Sequence, residues 1–300
     1  MKQPMPAFLF IMHTFGLTQA QAQRLICKGR LLINGESIYN PGTKLKLGVV
    51  EIVHFKARSQ KRKPLFQTKD FMIFEKPSGV LVHPNTMSTP YSMLDEIRAL
   101  HGENANATHR IDMETSGLLL ASKHKKAENF LKNSFEHKTI QKSYLAWVDG
   151  KLTKPFSVNM PIRVNDDYSQ TKHKVFIDMA GKPAYTSFKP LFYNKALNAT
   201  LVACYPITGR THQIRIHLFH VKHPILGDPI YGTTFQTANA YLDNTLTKEE
   251  RLIQTGSTRL MLHAQTLKFP YGATYFIESK IDFEKMKQLI CVKEKRVFNV

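Results

Sequence analysis

No single hydrophobic core can run through KARSQKRKP, residues 56–64. Five cations, one alanine and a closing proline leave this stretch almost no apolar surface to bury, so it reads as a linker. It predicts two folding units: a small one over residues 1–55 and a large one over 66–300, joined by a basic linker over 56–65. The second is long enough to bury a sizeable core.

Of the 300 residues, 42 are Lys or Arg and 23 are Asp or Glu, a formal charge of +19. Residues 1–65 hold 11 of those cations and only Glu36 and Glu51 as acids, which concentrates the charge at one end. Such a surface suits a polyphosphate partner. Phosphate contacts supply affinity and register without reading sequence, so any chemistry has to come from particular side chains. Within the small unit, Thr18 is placed to cap the helix TQAQAQRLICKG, with Ala22, Leu25 and Ile26 on one face and Gly29 at its end. LLINGESI then reads as a hairpin turning at Asn34-Gly35. The run ICKGRLLINGESIYNPGTKLKLGVVEIV resembles the second half of the S-four-like (alpha-L) RNA-binding domain, in which a helix and a hairpin present cations to RNA. The resemblance makes Arg24, Lys28 and Arg30 candidate RNA contacts. The domain's usual opening is missing, and Ala7 to His13 stands in its place.

Cys27, Cys204 and Cys291 are isolated thiols that fit neither a disulfide framework nor a zinc knuckle, and a reducing cytoplasm is their simplest home. MKQPMPAFLFIMHTFGLTQAQA imitates an export signal, but its apolar run lasts only from Ala7 to Met12 before His13 interrupts it. An amphipathic helix continuing to Gln21 and Arg24 is expected instead. No stretch reaches the roughly 20 apolar residues of a membrane helix.

Beyond residue 65 the periodicities alternate. FMIFEKPSGVLVHP holds two short apolar runs about a Pro-Ser-Gly turn; HKKAENFLKNSFEHK repeats Ala127, Phe130, Leu131 and Phe135 on a helical face. KSYLAWVDG and ATLVACYPITG read as strands, and THQIRIHLFHVKH as a helix stopping before Pro224. Thr233 to Gly256 is polar and reads as an excursion. The mix predicts an α+β domain on a mostly antiparallel, mixed central sheet flanked by helices.

Asp112 lies between Arg110 and a Thr115-Ser116-Gly117 turn, just ahead of the apolar strand LLLAS. A carboxylate held there beside arginines stays ionised, suited to act as nucleophile or base. A lone loop aspartate is more commonly a turn cap, and the surrounding segments decide the matter. HRIDMETSGLLL is very similar to the HRLDxxTSGLLL signature of the RluA-type pseudouridine synthases. EKPSGVLVHP, KSYLAW, TGRTHQIRIHLFHVKHPILGDPIYG and RLMLHA resemble four further motifs of that family, in its order. The match spans Lys69 to Pro270, with Ile111 in place of the usual leucine and Glu75 in place of the usual aspartate.

The resemblance implies an isomerase that turns uridine into its carbon-linked isomer in structured RNA, with neither cofactor nor metal. Asp112 corresponds to the essential aspartate, which attacks the ribose or the base or takes a ribose proton. Tyr144 corresponds to the tyrosine that stacks on the uracil and takes its proton, and Arg215 to the basic partner of Asp112. Arg110 would enter the RNA as the base leaves, and Leu262 would line the pocket floor. Unstacking a base costs a few kcal/mol, which an aromatic platform and an arginine wedge offset. His109, Arg210, Thr211 and His212 complete the expected RNA contacts; Arg210 and Thr211 precede a helix whose free N–H groups favour an anion. Large-subunit ribosomal RNA is the expected target, with transfer RNA the alternative, and the protein is expected to act as a monomer.

Two other readings compete. One is a non-catalytic RNA-binding or ribosome-assembly protein, which would have no need of Asp112, Tyr144 and Arg215 together. The other is a metal-dependent hydrolase using His212, His217, His220 and His223; the spacing of three spreads these around a helix, and no acid intervenes as in HExxH.

Overall fold

A computed structural model describes residues 4–45, 49–53, 57–86, 88–169 and 171–292. The boundary expected at residue 55, the first linker residue, and residues 46–48 of GTKLKLGVVEIV lie outside the described residues. The chain divides into two compact units, 1–56 and 57–300.

In the first unit, Ala7–Phe15 and Gln19–Cys27 are separate helices. The continuous helix expected across this region is broken because Gly16 takes a left-handed conformation at φ 63°. Thr18 then restarts the chain with a reciprocal cap against Gln21. Leu31–Ile33 pairs with Glu36–Ile38 around Asn34 and Gly35, both at positive φ, as a two-residue hairpin turn requires. Val50–Ile52 joins on the other edge of Leu31–Ile33. Ala7, Ile11, Ala22, Ile26, Leu31 and Leu45 close the core of this unit.

The second unit is built on a ten-stranded sheet. Its main path runs Phe66–Gln67, Phe71–Lys76, Ser116–Ser122, Leu262–Tyr271, Gln141–Asp149, Ala199–Pro206, Tyr185–Asn194, Phe156–Asn159. Every neighbouring pair is antiparallel except Ser116–Ser122 with Leu262–Tyr271, which is parallel. Alternation along the strands explains why the sheet is covered on both faces. Met72, Phe74, Leu119 and Ala121 face one cluster, with Trp147 and Val202; Phe71, Ile73, Leu118 and Leu120 face another, with Leu131 and Phe269. This is the expected α+β fold with a mostly antiparallel, mixed sheet. Among the described residues no helix is long and apolar enough to cross a membrane.

The apolar run after Pro-Ser-Gly pairs into no strand, and Leu81 makes an isolated bridge with Ser92. The polar excursion carries two helices, Phe235–Leu242 and Lys248–Thr255, whose Thr234 and Thr247 caps stabilise segments that apolar periodicity does not reveal. Finally, part of the basic stretch is fastened to the larger unit. The Arg58 N–H donates to Asp95 at 2.9 Å and the Ser59 hydroxyl to Glu96 at 2.6 Å, because both acids are buried at the start of Met93–His101 and need donors.

The parallel pair depends on a glycine. Gly117 sits at φ 106°, and a Cβ there would lie 2.3 Å from the Ala264 carbonyl oxygen and 2.6 Å from its nitrogen. Gly117→Ala therefore destabilises the larger unit by well over about 1 kcal/mol, since strained φ and backbone overlap act together. Urea unfolding checks this; an unchanged midpoint would show that the pair can open without cost.

Candidate active site

Asp112 is carried by a loop pinned on every side. The Lys76 side chain, fully buried, donates to the carbonyls of Pro77, Val80 and Met113 at 2.7–2.8 Å. Burial pushes its ammonium down to about 7 while Asp112 and Glu114 pull it back up. The Ser78 hydroxyl donates to the Glu114 carbonyl at 2.6 Å, and the Thr115 N–H to that of Asp112 at 3.1 Å. Ser116 is gripped by Arg259 at 2.7 Å and shares a hydrogen bond with His263 at 2.8 Å. The Asp112 side chain remains 28% exposed at the end of this frame.

Arg215 reaches Asp112, but not as its principal partner. Its Nη1 donates to Asp112 Oδ2 at 3.3 Å, whereas Nε and Nη2 form a bidentate pair with Asp228 at 2.7 and 2.8 Å. Asp228 also accepts the N–H groups of Ile230 and Tyr231. Burial penalises the Arg215 charge, and the Asp228 and Asp112 carboxylates outweigh that penalty, so the guanidinium holds its proton more tightly than usual. One buried cation thus joins two carboxylates. Asp228 was missed in the sequence, although it is the lone acid in the block TGRTHQIRIHLFHVKHPILGDPIYG.

Tyr144, Arg110, His212, Arg215 and Leu262 meet Asp112 around a small well of about 90 Å³. The sheet places them: Tyr144 lies opposite Ala264, two residues beyond Leu262 on the neighbouring strand. Burial, and then the Asp112 carboxylate, raise the Tyr144 phenol above its ordinary value. Its hydroxyl has no hydrogen-bond partner among the described residues, and Asp112 Oδ1 likewise accepts none. Lys142, which sequence reading passed over within KSYLAW, also lines the well, its ammonium pushed down by burial.

Above it lies an open cleft of about 1160 Å³. Arg110, Lys132, Lys138, Lys172, Lys174 and Arg210 line its walls with exposed apolar groups such as Ile207 and Tyr168. Cations interleaved with aromatic and aliphatic surface suit a phosphate chain and unstacked bases. Thr211 lines the same cleft. Arg210 is exposed, with its Nε on the Pro183 carbonyl at 3.1 Å.

The histidines divide by role. His109 accepts the Leu120 N–H at 3.1 Å and packs on Phe135, and burial, with the Lys142 charge adding to it, pushes the imidazole down to about 3. His212 holds a left-handed backbone at φ 52° before the helix Gln213–His220, with Nδ1 3.0 Å from the Tyr231 hydroxyl and Nε2 3.9 Å from Asp112. Burial and Arg215 push it down to about 4. His217 binds Thr186 and the Met160 carbonyl, and His223 the Asp149 carbonyl. Among the described residues no group of three His, Cys, Asp or Glu has a geometry that could hold a metal ion. In the small unit, Arg24 and Lys28 are exposed and Arg30 half-buried.

His217 and His263 are fully buried, and burial is the main cause that pushes each down to about 4. Their folded values lie below the unfolded one, so the stability they confer is whole above about pH 6.5 and is lost as pH falls toward 4. Each costs about 2 kcal/mol by pH 5. The urea midpoint of the larger unit falls between pH 7.5 and 5; a flat midpoint would contradict neutral, buried imidazoles.

A buried guanidinium joining two carboxylates thus lies beside a cation-lined cleft, an arrangement suited to a polyphosphate chain. The sequence profile for RNA pseudouridylate synthase matches residues 70–220, and that for the S4 domain matches residues 12–50. An uncharacterised RNA pseudouridine synthase of Helicobacter pylori is 37% identical over 279 residues, covering 92% of this chain and 91% of that relative. The ribosomal large subunit pseudouridine synthase C of Escherichia coli is 32% identical, covering 86% and 82%. Human RNA pseudouridylate synthase domain containing 1 has a similar fold, with a TM-score of 0.60 at 21% identity over 80% of this chain and 90% of that one. The chain belongs to the RNA pseudouridylate synthase family, carrying an S4 domain ahead of the catalytic domain. It is an isomerase that converts uridine to pseudouridine in RNA.

Proposed function

We propose that the protein modifies uridine in large-subunit ribosomal RNA in the cytoplasm, with Asp112 as the reactive carboxylate. The observation that carries the catalytic part is the shared well: Asp112 and Tyr144 meet there with Arg215 behind them. The isomerisation breaks the bond between N1 and C1′ and forms one between C5 and C1′; the proton lost from C5 is matched by one gained at N1. Nothing is oxidised, and no outside atom enters the product.

Arg215 holds Oδ2 of Asp112, and among the described residues no group donates to Oδ1. That oxygen serves as nucleophile or base while the cation steadies the developing charge. Tyr144 supplies a stacking face for the uracil. Its raised phenol makes it a poor resting base, so stacking is the role its surroundings support best. Arg110, exposed at the lip of the well, takes the place of the extruded base, and Leu262 forms the apolar floor. Lysines of the cleft and Arg24, Lys28 and Arg30 of the S4 unit bind phosphates.

The ribosomal target is supported by the relatives named for the large subunit and by the S4 unit, which precedes the catalytic domain here. Pseudouridine mapping of ribosomal and transfer RNA from cells with and without the protein tests it. A site lost from large-subunit RNA on deletion is expected; loss confined to transfer RNA would overturn the assignment.

A further inference from the structure

Arg251 lies on Lys248–Thr255, inside the excursion between the two halves of the site, and its side chain is 11% exposed. Its Nη1 and Nη2 donate to the two oxygens of Glu114 at 3.2 and 3.0 Å. The same Nη2 donates to the Gly227 carbonyl at 2.7 Å. The Tyr241 hydroxyl adds a hydrogen bond to Glu114 at 2.9 Å, and its ring lies 5.3 Å from the guanidinium. Burial disfavours the Glu114 charge, but Arg251 and Tyr241 more than compensate and keep it ionised.

The positions in the chain give these contacts their meaning. Glu114 follows Asp112 by two residues, and Gly227 immediately precedes Asp228. One guanidinium therefore ties the loop that carries Asp112 to the turn that carries Asp228, the two carboxylates that Arg215 bridges. The turn itself has little freedom, since a Cβ on Gly227 would lie 1.7 Å from the Arg259 carbonyl oxygen.

We propose that Arg251, acting through Glu114 and Gly227, is a positioning residue that sets the separation of Asp112 and Asp228 across Arg215. The inference rests on Asp112 being the reactive carboxylate. Arg251 touches neither substrate nor reacting atoms; it fixes where the Asp112 carboxylate stands when the uridine enters. A misplacement of about 1 Å at a reacting group can cost on the order of 100-fold in rate.

The test uses the full chain and RNA from cells that lack it, labelled with uridine tritiated at C5, whose release as water reports the reaction on any target RNA. Rates are read with enzyme in saturating excess, alongside RNA affinity and the folded fraction at the assay temperature. Arg251→Met and Glu114→Gln are each expected to lower the rate of the folded enzyme at least ten-fold, with RNA affinity changed less than two-fold. Their double variant falls no further than the worse single, because both break one clamp. Arg251→Lys recovers part of the rate. Tyr241→Phe, which removes one hydrogen bond from a half-buried side chain, lowers the rate less and keeps the fold intact. Rates that track only the folded fraction, or losses that multiply in the double variant, overturn the inference. Asp112→Asn run in parallel separates the two claims: an inactive Asp112→Asn with a fully active Arg251→Met sinks the positioning role alone, whereas an active Asp112→Asn sinks the catalytic reading beneath it.

Discussion

Asp112→Asn is expected to remove isomerase activity, lowering the single-turnover rate by on the order of 1000-fold or more, while the protein folds and binds RNA as before. The substitution keeps the size and shape of the side chain but removes the charge that makes it nucleophilic or basic; loss of a reacting group has effects of this order. Folding is spared because the side chain is 28% exposed and its loop is fixed by other groups. Lys76 holds the Met113 carbonyl, Ser78 that of Glu114, and Arg259 the Ser116 hydroxyl. Tritium release measures the rate and filter binding the affinity. An asparagine variant within ten-fold of the parent would mean that the carboxylate is not the reacting group.

Asp228→Ala is expected to act on stability as well as activity. Arg215 is 4% exposed, and without Asp228 its guanidinium keeps, among the described residues, a single ion pair, the 3.3 Å contact to Asp112, beside the Tyr231 ring 5.1 Å away. Breaking a buried pair from one side costs about 3–5 kcal/mol because the remaining charge is uncompensated. For a unit of this size that lowers the melting temperature by about 10 °C. Replacing both partners, Arg215→Met with Asp228→Leu, recovers much of the stability but none of the activity, since a buried ion pair exchanged for apolar side chains is often neutral. Thermal unfolding of the two variants checks this. A single Asp228→Ala variant as stable as the parent would show that Arg215 finds another partner.

Much of this was legible in short segments. The Asn34-Gly35 turn, the Thr18 cap and the strand through Tyr144 depend on neighbours within a few residues, and each formed as its local chemistry dictates. Asp112, Tyr144, Arg215 and Leu262 stood out because ordered motifs carried them, and the fold brings them to one well. What could not be read was the ranking of partners. Arg215 and Asp112 do meet, yet the bidentate geometry goes to Asp228, a choice made by the direction of a guanidinium leaving a helix. Lys76 and Glu114 were hidden for the same reason: each works through contacts with residues far along the chain. Arg251 lay in a stretch whose polarity concealed two capped helices, because short helices held by threonine caps need little apolar periodicity.

The central claim, that Asp112 performs the isomerisation in the cell, is tested most directly by pseudouridine mapping of RNA from cells lacking the protein and rescued with either the parent chain or Asp112→Asn. The account predicts that the site lost on deletion returns with the parent chain and stays absent with Asp112→Asn, although both proteins accumulate equally. Restoration of the site by Asp112→Asn would contradict it.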